Sequence, residues 1–227
     1  MISGTTRLVA LLGHPVAESL SPRMQNAAFA ARGLDWAYVA CDVPPERFEE
    51  AVRGLAAAGF AGANVTTPHK EAAAAIAESD LPSVNTLVFE EGRIVGHSTD
   101  AAVLEGIRAE RAVILGSGGA ALAFQSALPE ARSFSRGGDW PPQVDEADLV
   151  VNATSEREEV LVGLGAGQTL VDLPYPETRT AKAAADAGAN VVDGLEVLVA
   201  QGAAAFELWT GVPAPVEVMR RAVGLDA

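Results

Sequence analysis

Four short stretches in the first half of the chain gather side chains that can bind a polar ligand and move a proton: ESLSP (18–22), NVTTPHKE (64–71), SVNT (83–86) and GHSTD (96–100). Each borders an apolar run of strand length, and in an open parallel sheet ligands collect at the carboxyl ends of strands. Lys70 stands out by type. Fourteen of the 16 basic residues are arginine, and the only lysines are Lys70 and Lys182. An ammonium can give up and recover a proton, whereas a guanidinium stays charged at any accessible pH. A lysine paired with a carboxylate such as Asp100 can protonate an oxygen on which negative charge develops and stabilise that charge. The plainer reading of Lys70 is an exposed residue in the first turn of a helix, PHKEAAAAIAES. Ser19 and Ser21, two apart before Pro22, would point the same way in an extended segment and could both donate to a carboxylate. Ser21 also suits the N-cap of a helix opening at Pro22.

The second half opens on a glycine turn. VILGSGGAA places Gly116, Gly118 and Ala121 in a G-x-G-x-x-A pattern after an apolar strand and before a helix. There the first glycine allows the tight turn, the second admits a pyrophosphate, and the helix N-terminus supplies amide donors. This reads as a dinucleotide site, the alternative being only a tight strand-to-helix turn. The next strand ends in SFSRGG, with Ser135 and Arg136 and no carboxylate before Asp139. A guanidinium there can grip a 2′-phosphate with two donors, so NADP is expected over NAD, with NAD possible. Otherwise Arg136 is a solvated loop residue.

The elements that must carry these groups alternate between apolar strands and helical segments, the pattern of a parallel α/β sheet. The expected fold class is α/β and two-lobed. An open α/β lobe spans residues 1–100 and is completed by the helical segment from about 195 to 227. A Rossmann-type lobe spans 101–194, with a reduced helix complement. SVNTLVFEEGRIVGHSTD reads as a hairpin closing the first lobe. DAAVLEGIRAER reads as a connecting helix, and short hinges leave a cleft between the lobes. Pro141-Pro142 rules out a helix in DWPPQV, which leaves one face of the second sheet thinly covered.

Composition narrows the partners. A net charge of −14 argues against nucleic acid or an anionic membrane surface, and the apolar run near the N-terminus is too brief for a signal or a membrane span. Cys41 is the only cysteine, so no intrachain disulfide forms, and a reducing, cytoplasmic setting is expected. His14, His69 and His97 fit no zinc spacing, so no metal is expected. Alanine-rich helices with few charges could pack inside the fold or against a second subunit, which leaves monomer and homodimer both open.

GHPVAESLSP, GANVTTPHKEA, SVNTL, STD, LGSGGAA, VVNATS and DGLEVLVAQGAAAFELWTG, in that order, resemble the shikimate dehydrogenase family over nearly the whole chain. The resemblance implies NADP-dependent reduction of 3-dehydroshikimate to shikimate, with a substrate lobe and a Rossmann lobe. It gives Lys70 and Asp100 the catalytic pair and Ser19 and Ser21 the substrate carboxylate. Asn64, Thr66, Asn85, Tyr175 and Gln201 match residues around the ring hydroxyls. Gly116, Ser117, Gly118, Gly119, Ala120, Ser135, Arg136, Ala153, Thr154 and Gly194 match the cofactor side.

The chain departs from the family pattern at Ser98, where asparagine is usual, at Ala101 for glycine, and at Gln25 for histidine. Losing the asparagine removes an amide that could brace the loop before Asp100. The cofactor lobe is short, lacks a second basic residue at the 2′-phosphate loop, and carries the acidic run EREE (156–159). Weaker NADP selectivity than usual is therefore expected. Quinate or aminoshikimate dehydrogenases of the same fold, and a nucleotide-sensing module without catalysis, remain alternatives.

Overall fold

The computed structural model describes residues 2–225. The segments up to Thr99 and from Val199 onward form one compact unit, and Asp100–Leu198 form another. Asp100 thus falls one residue past the first boundary, and the second lies four residues beyond position 195.

In the first unit, β1 (Arg7–Gly13), α1 (Ser21–Ala31), β2 (Trp36–Asp42), α2 (Phe48–Ala57), β3 (Gly62–Val65), α3 (Lys70–Ile76), β4 (Thr86–Glu90) and β5 (Arg93–His97) follow one another. The sheet order is β2-β1-β3-β4-β5. The first three strands are parallel, and β4 and β5 run antiparallel as the expected hairpin. Side chains alternate across the sheet. Ala10, Leu12, Ala63 and Val65 face a core shared with Phe48, Val52 and Ala73. On α1, Met24 and Phe29 are buried, and the Phe29 ring stacks on Phe206 at 5.3 Å between centroids.

The outer edge of β2 is closed by a side chain. Asn26 Nδ2 donates to the Tyr38 carbonyl at 2.9 Å, and Tyr38 N–H donates to Asn26 Oδ1 at 2.9 Å. One amide thereby replaces a neighbouring strand at that residue and fixes Tyr38.

The second unit contains β6 (Ala112–Leu115), α4 (Gly119–Ala127), β7 (Arg132–Phe134), β8 (Leu149–Asn152), β9 (Thr169–Asp172), α5 (Arg179–Asp186) and β10 (Asn190–Val192). Its five strands are all parallel, in the order β10-β9-β8-β6-β7. The helix α6 (Gly194–Thr210) begins here and passes the unit boundary, and α7 (Val216–Val223) is the last element, with Gly211-Val212-Pro213 between them. Trp209 on α6 is buried and its indole N–H donates to the Leu87 carbonyl at 3.0 Å, which ties the helix to β4.

Two expectations change. Residues 100–104 form a 3-10 turn rather than a connecting α-helix, because Ala101, Val103, Leu104 and Ile107 turn onto the second core instead of forming a helical stripe. The face expected to be thinly covered is not bare: neither the β7–β8 nor the β8–β9 crossover has a helix, yet Val144, Ala147, Val162 and Leu164 from those crossovers bury against Val113, Val150 and Leu170. Irregular backbone substitutes for a helix because its apolar side chains reach the sheet.

At the carboxyl ends of β8 and β9 lies a buried polar group. Asp172, 1% exposed, accepts hydrogen bonds from Asn152 Nδ2 at 2.7 Å and Thr178 Oγ1 at 2.8 Å. Thr178 also caps α5 through the Ala181 N–H.

Trp209→Phe keeps an aromatic ring and removes the donor to Leu87. A loss of about 1–3 kcal/mol is expected from the orphaned carbonyl and lost volume, read as a lowered urea midpoint; an unchanged midpoint would count against this anchor. Asp172 has a raised pKa, mainly from burial, opposed by its two hydrogen bonds and reinforced by the Asp193 and Glu177 charges. The folded chain holds a proton that the unfolded chain releases, so this contribution is complete below the ordinary carboxylate range and is lost as pH rises through the folded value. The stability of the native chain relative to Asp172→Asn should therefore fall over that window in denaturation at stepped pH. A pH-independent difference would contradict it.

Candidate active site

In the first unit the polar motifs meet at one end of the sheet. The register opposes Asn64 to Thr86 and Thr86 to His97, so the end of β3, the start of β4 and the end of β5 lie in one row. Asn64 Nδ2 donates to Thr86 Oγ1 at 3.0 Å and to the Asn85 carbonyl at 3.2 Å, while Tyr38 Oη donates to Asn64 Oδ1 at 2.8 Å. Asn64 is 4% exposed, and its amide is engaged by the protein on both sides. Asn85 continues the row: the Thr99 N–H donates to Asn85 Oδ1 at 2.7 Å and Asn85 Nδ2 donates to Thr99 Oγ1 at 3.0 Å.

Lys70 is the first residue of α3, and its carbonyl accepts the Val84 N–H at 3.0 Å. Val84 and Asn85 are consecutive. Lys70 and Thr99, the residue before Asp100, are therefore anchored on one dipeptide. Lys70 is half-buried and Asp100 buried. The brace that an asparagine at 98 was expected to provide comes from Asn85 and Thr99; Ser98 Oγ is buried without a hydrogen-bond partner.

Thr66 is half-buried beyond β3, its carbonyl accepting the His69 N–H at 2.9 Å and its N–H donating to the Leu12 carbonyl at 2.9 Å. Its methyl lies where a Cβ on Gly13 would sit, so the loops after β1 and β3 are in contact. The loop after β1 carries Ser19 and Ser21. The segment is not extended there, because Leu20 is helical in φ/ψ, and Ser21 is the first residue of α1 rather than its cap. Ser19 Oγ instead accepts the Ser21 N–H at 3.3 Å, which leaves the Ser19 hydroxyl proton for an outside acceptor. Gln201 is half-buried on α6, next to Gly202, whose carbonyl accepts Gln25 Nε2 at 2.9 Å.

The histidines do other work. His69 is 2% exposed, bonds the Val43 carbonyl through Nε2 at 2.7 Å and stacks on Phe48 at 4.5 Å, so it belongs to the core. His14 Nδ1 lies 2.7 Å from Asp42, and His97 ends β5. Among the described residues no group of three or more His, Cys, Asp or Glu side chains could hold a metal ion, and no helix is long and apolar enough to cross a membrane.

In the second unit the carboxyl ends of β6 and β7 border a cavity of about 310 Å³ lined by Gly116, Ser117, Ala121, Leu122, Ser135 and Asp139, among others. Gly116 has φ +122°, and a Cβ there would meet the Ala153 carbonyl at 3.0 Å, so only glycine serves. Gly118, the residue before α4, has nothing within 4 Å of a built Cβ. That open side and the amides of Gly119 and Ala120 in the first turn fit a phosphate-bearing ligand. Behind Gly116, the Thr154 hydroxyl and N–H both donate to Asn152 Oδ1, at 2.8 and 3.2 Å, so Ala153 and Thr154 rest on the Asn152–Asp172 pair. Gly194 opens α6 against the Leu173 and Pro174 carbonyls. Tyr175 is half-buried beyond β9, where its carbonyl accepts Arg157 Nη1 at 3.4 Å. Arg136 is exposed and bonded to Glu159.

Tyr38, Thr86 and Thr99 were not singled out by sequence. The available signal was a tyrosine in an apolar strand, whose buried hydroxyl must find a partner.

Residues 11–86 match the model of the shikimate dehydrogenase substrate binding domain, and residues 194–223 that of the shikimate 5′-dehydrogenase C-terminal domain. A shikimate dehydrogenase (NADP(+)) of Methanopyrus kandleri is 40% identical, the match covering 98% of this chain and 96% of that protein. That alignment extends over 279 positions against 227 residues here, so the relative has residues without a counterpart in this chain. The crystal structure of shikimate dehydrogenase from Aquifex aeolicus superposes with a TM-score of 0.90 at 31% identity, covering 99% of this chain and 100% of that one. The shikimate 5-dehydrogenase of Thermus thermophilus, in complex with NADP(H) and shikimate, gives 0.84 at 34% identity over 96% and 98%. With matches of that extent on both halves of the molecule, the chain belongs to the shikimate dehydrogenase family.

Proposed function

We propose that the chain is an NADP-dependent shikimate dehydrogenase that reduces 3-dehydroshikimate to shikimate, with Lys70 and Asp100 as its acid–base pair. The unit built on β1–β5, with the C-terminal helices, takes the substrate, and the unit built on β6–β10 takes the dinucleotide. The observation that carries the mechanism is the shared anchorage of Lys70 and Thr99 on Val84-Asn85. It fixes the backbone of Lys70 and of the residue before Asp100, and a proton transfer requires positioned groups.

When bound, the dinucleotide supplies the hydride that converts the ketone carbon into a carbinol. The Lys70 ammonium donates a proton to the oxygen on which charge develops, with the Asp100 carboxylate as the other member of the pair. Ser19 and Ser21 donate to the substrate carboxylate as neutral groups. Thr66, Asn85, Tyr175 and Gln201 meet the ring hydroxyls. Asn64 meets them as well, its amide held in place, like that of Asn85, by bonds within the protein.

Steady-state turnover of shikimate with NADP tests this, with quinate run in parallel. Lys70→Ala should lower kcat by roughly 10²-fold or more with little change in shikimate binding, and Lys70→Arg should not restore it. Full turnover by either variant would overturn the assignment, as would turnover of quinate alone by the native chain. Asn85→Ala orphans the buried Thr99 N–H and should cost about 1–3 kcal/mol of stability, measured by urea unfolding. An unaltered unfolding curve would remove the brace from the account.

A further inference from the structure

The basic side chain best placed by sequence to meet a 2′-phosphate is already engaged. Arg136 Nη2 donates to Glu159 Oε2, and the guanidinium carbon lies 5.6 Å from the centre of the Trp140 ring. Glu159 is not a loose surface group. Its carbonyl accepts the Thr180 hydroxyl at 3.1 Å, and the Leu161 N–H donates to the same hydroxyl at 3.0 Å. Thr180 is fully buried at the start of α5, so the backbone that leaves Glu159 is pinned, and the Glu159 N–H donates to Glu156 Oε1 at 3.3 Å. Arg136 follows Ser135 in a loop closed by Gly138 N–H to the Ser135 carbonyl at 3.0 Å, and both Ser135 and Asp139 line the 310 Å³ cavity.

We propose that Glu159 is a cofactor-specificity determinant: its carboxylate occupies Arg136 where the 2′-phosphate of NADP would bind, and with Asp139 on the cavity wall it narrows the preference for NADP over NAD. The proposal rests on the dinucleotide reading of this unit. A 2′-phosphate must displace or share the Glu159 contact and then sits near two carboxylates. The 2′-hydroxyl of NAD makes no demand on Arg136 and can donate to Asp139, the arrangement usual for NAD sites. Both partners of the ion pair are more than half exposed, at 55% and 59%, so the pair is weak enough for NADP to compete. It tunes selectivity rather than excluding one cofactor.

The test uses 2′,5′-ADP and 5′-AMP, which differ only in that phosphate, titrated calorimetrically against the native chain, Glu159→Gln and Arg136→Ala. Glu159→Gln should raise the ratio of 2′,5′-ADP to 5′-AMP affinity by about three- to five-fold at low salt, with the gain shrinking as salt rises. Arg136→Ala should lower the ratio. Adding Asp139→Asn to Glu159→Gln should raise it further. An unchanged ratio in Glu159→Gln beside a lowered one in Arg136→Ala would overturn the role of Glu159 and leave the dinucleotide site standing. Unchanged ratios in both would overturn it too, by removing Arg136 from the phosphate. Absence of binding of either nucleotide to the native chain would instead defeat the dinucleotide reading itself.

Discussion

The Asn85 side chain is the joint on which the first unit's polar row depends. A buried amide must satisfy two donors and an acceptor, and an orphan costs on the order of 1–3 kcal/mol. Asn85 places an amide donor on the Thr99 hydroxyl and accepts the Thr99 N–H on Oδ1, to which the Thr86 hydroxyl also donates at 3.1 Å. Thr86 is itself held by the buried Asn64, Asn64 by the buried Tyr38, and the Tyr38 backbone by the exposed Asn26. Movement of one member therefore leaves several groups unpaired at once. Such coupling makes the row rigid without any ligand, which is what preorganised catalysis needs.

Strand register builds that row. Asn64 and Thr86 face one another because β3 and β4 pair antiparallel at those positions, and a slip of one residue would turn either side chain to the opposite face. Val65 and Leu87, their apolar neighbours, fill the core below. Hydrophobic burial thus selects the register, and the register then fixes which polar groups meet. The chemistry at the sheet end inherits its precision from the packing beneath.

Much of this was legible beforehand for physical reasons that can be named. Apolar runs of strand length, bounded by helical segments, turns or irregular chain, mark where the strands lie, and the glycine turn before α4 follows from a φ that only glycine adopts readily. What escaped depended on contacts distant in sequence. Residues 100–104 have helical composition, yet their apolar side chains gain more by turning onto the second core. His69 resembles a loop residue in sequence, but stacking on Phe48 and a bond to Val43 make it core. Tyr38 shows no sign in its own strand that its hydroxyl will meet Asn64, 26 residues later. Propensity and spacing report local structure, whereas these assignments were decided by which buried groups found partners.

The short crossovers of the second unit connect its stability to its ligand chemistry. With no helix between β8 and β9, the chain must cross the sheet as irregular backbone, and it meets the core's demand for apolar cover with Val162 and Leu164. Irregular backbone also needs its own polar groups satisfied. Thr180 does part of this from the first turn of α5, and the Arg179 N–H adds a bond to the Arg157 carbonyl at 2.9 Å. Those bonds pin the acidic run so that Glu159 reaches Arg136. A longer crossover with its own helix would satisfy its backbone internally and would not need to be anchored there. The economy of the fold and the capture of Arg136 therefore have a common origin in how this one segment meets its backbone hydrogen bonds.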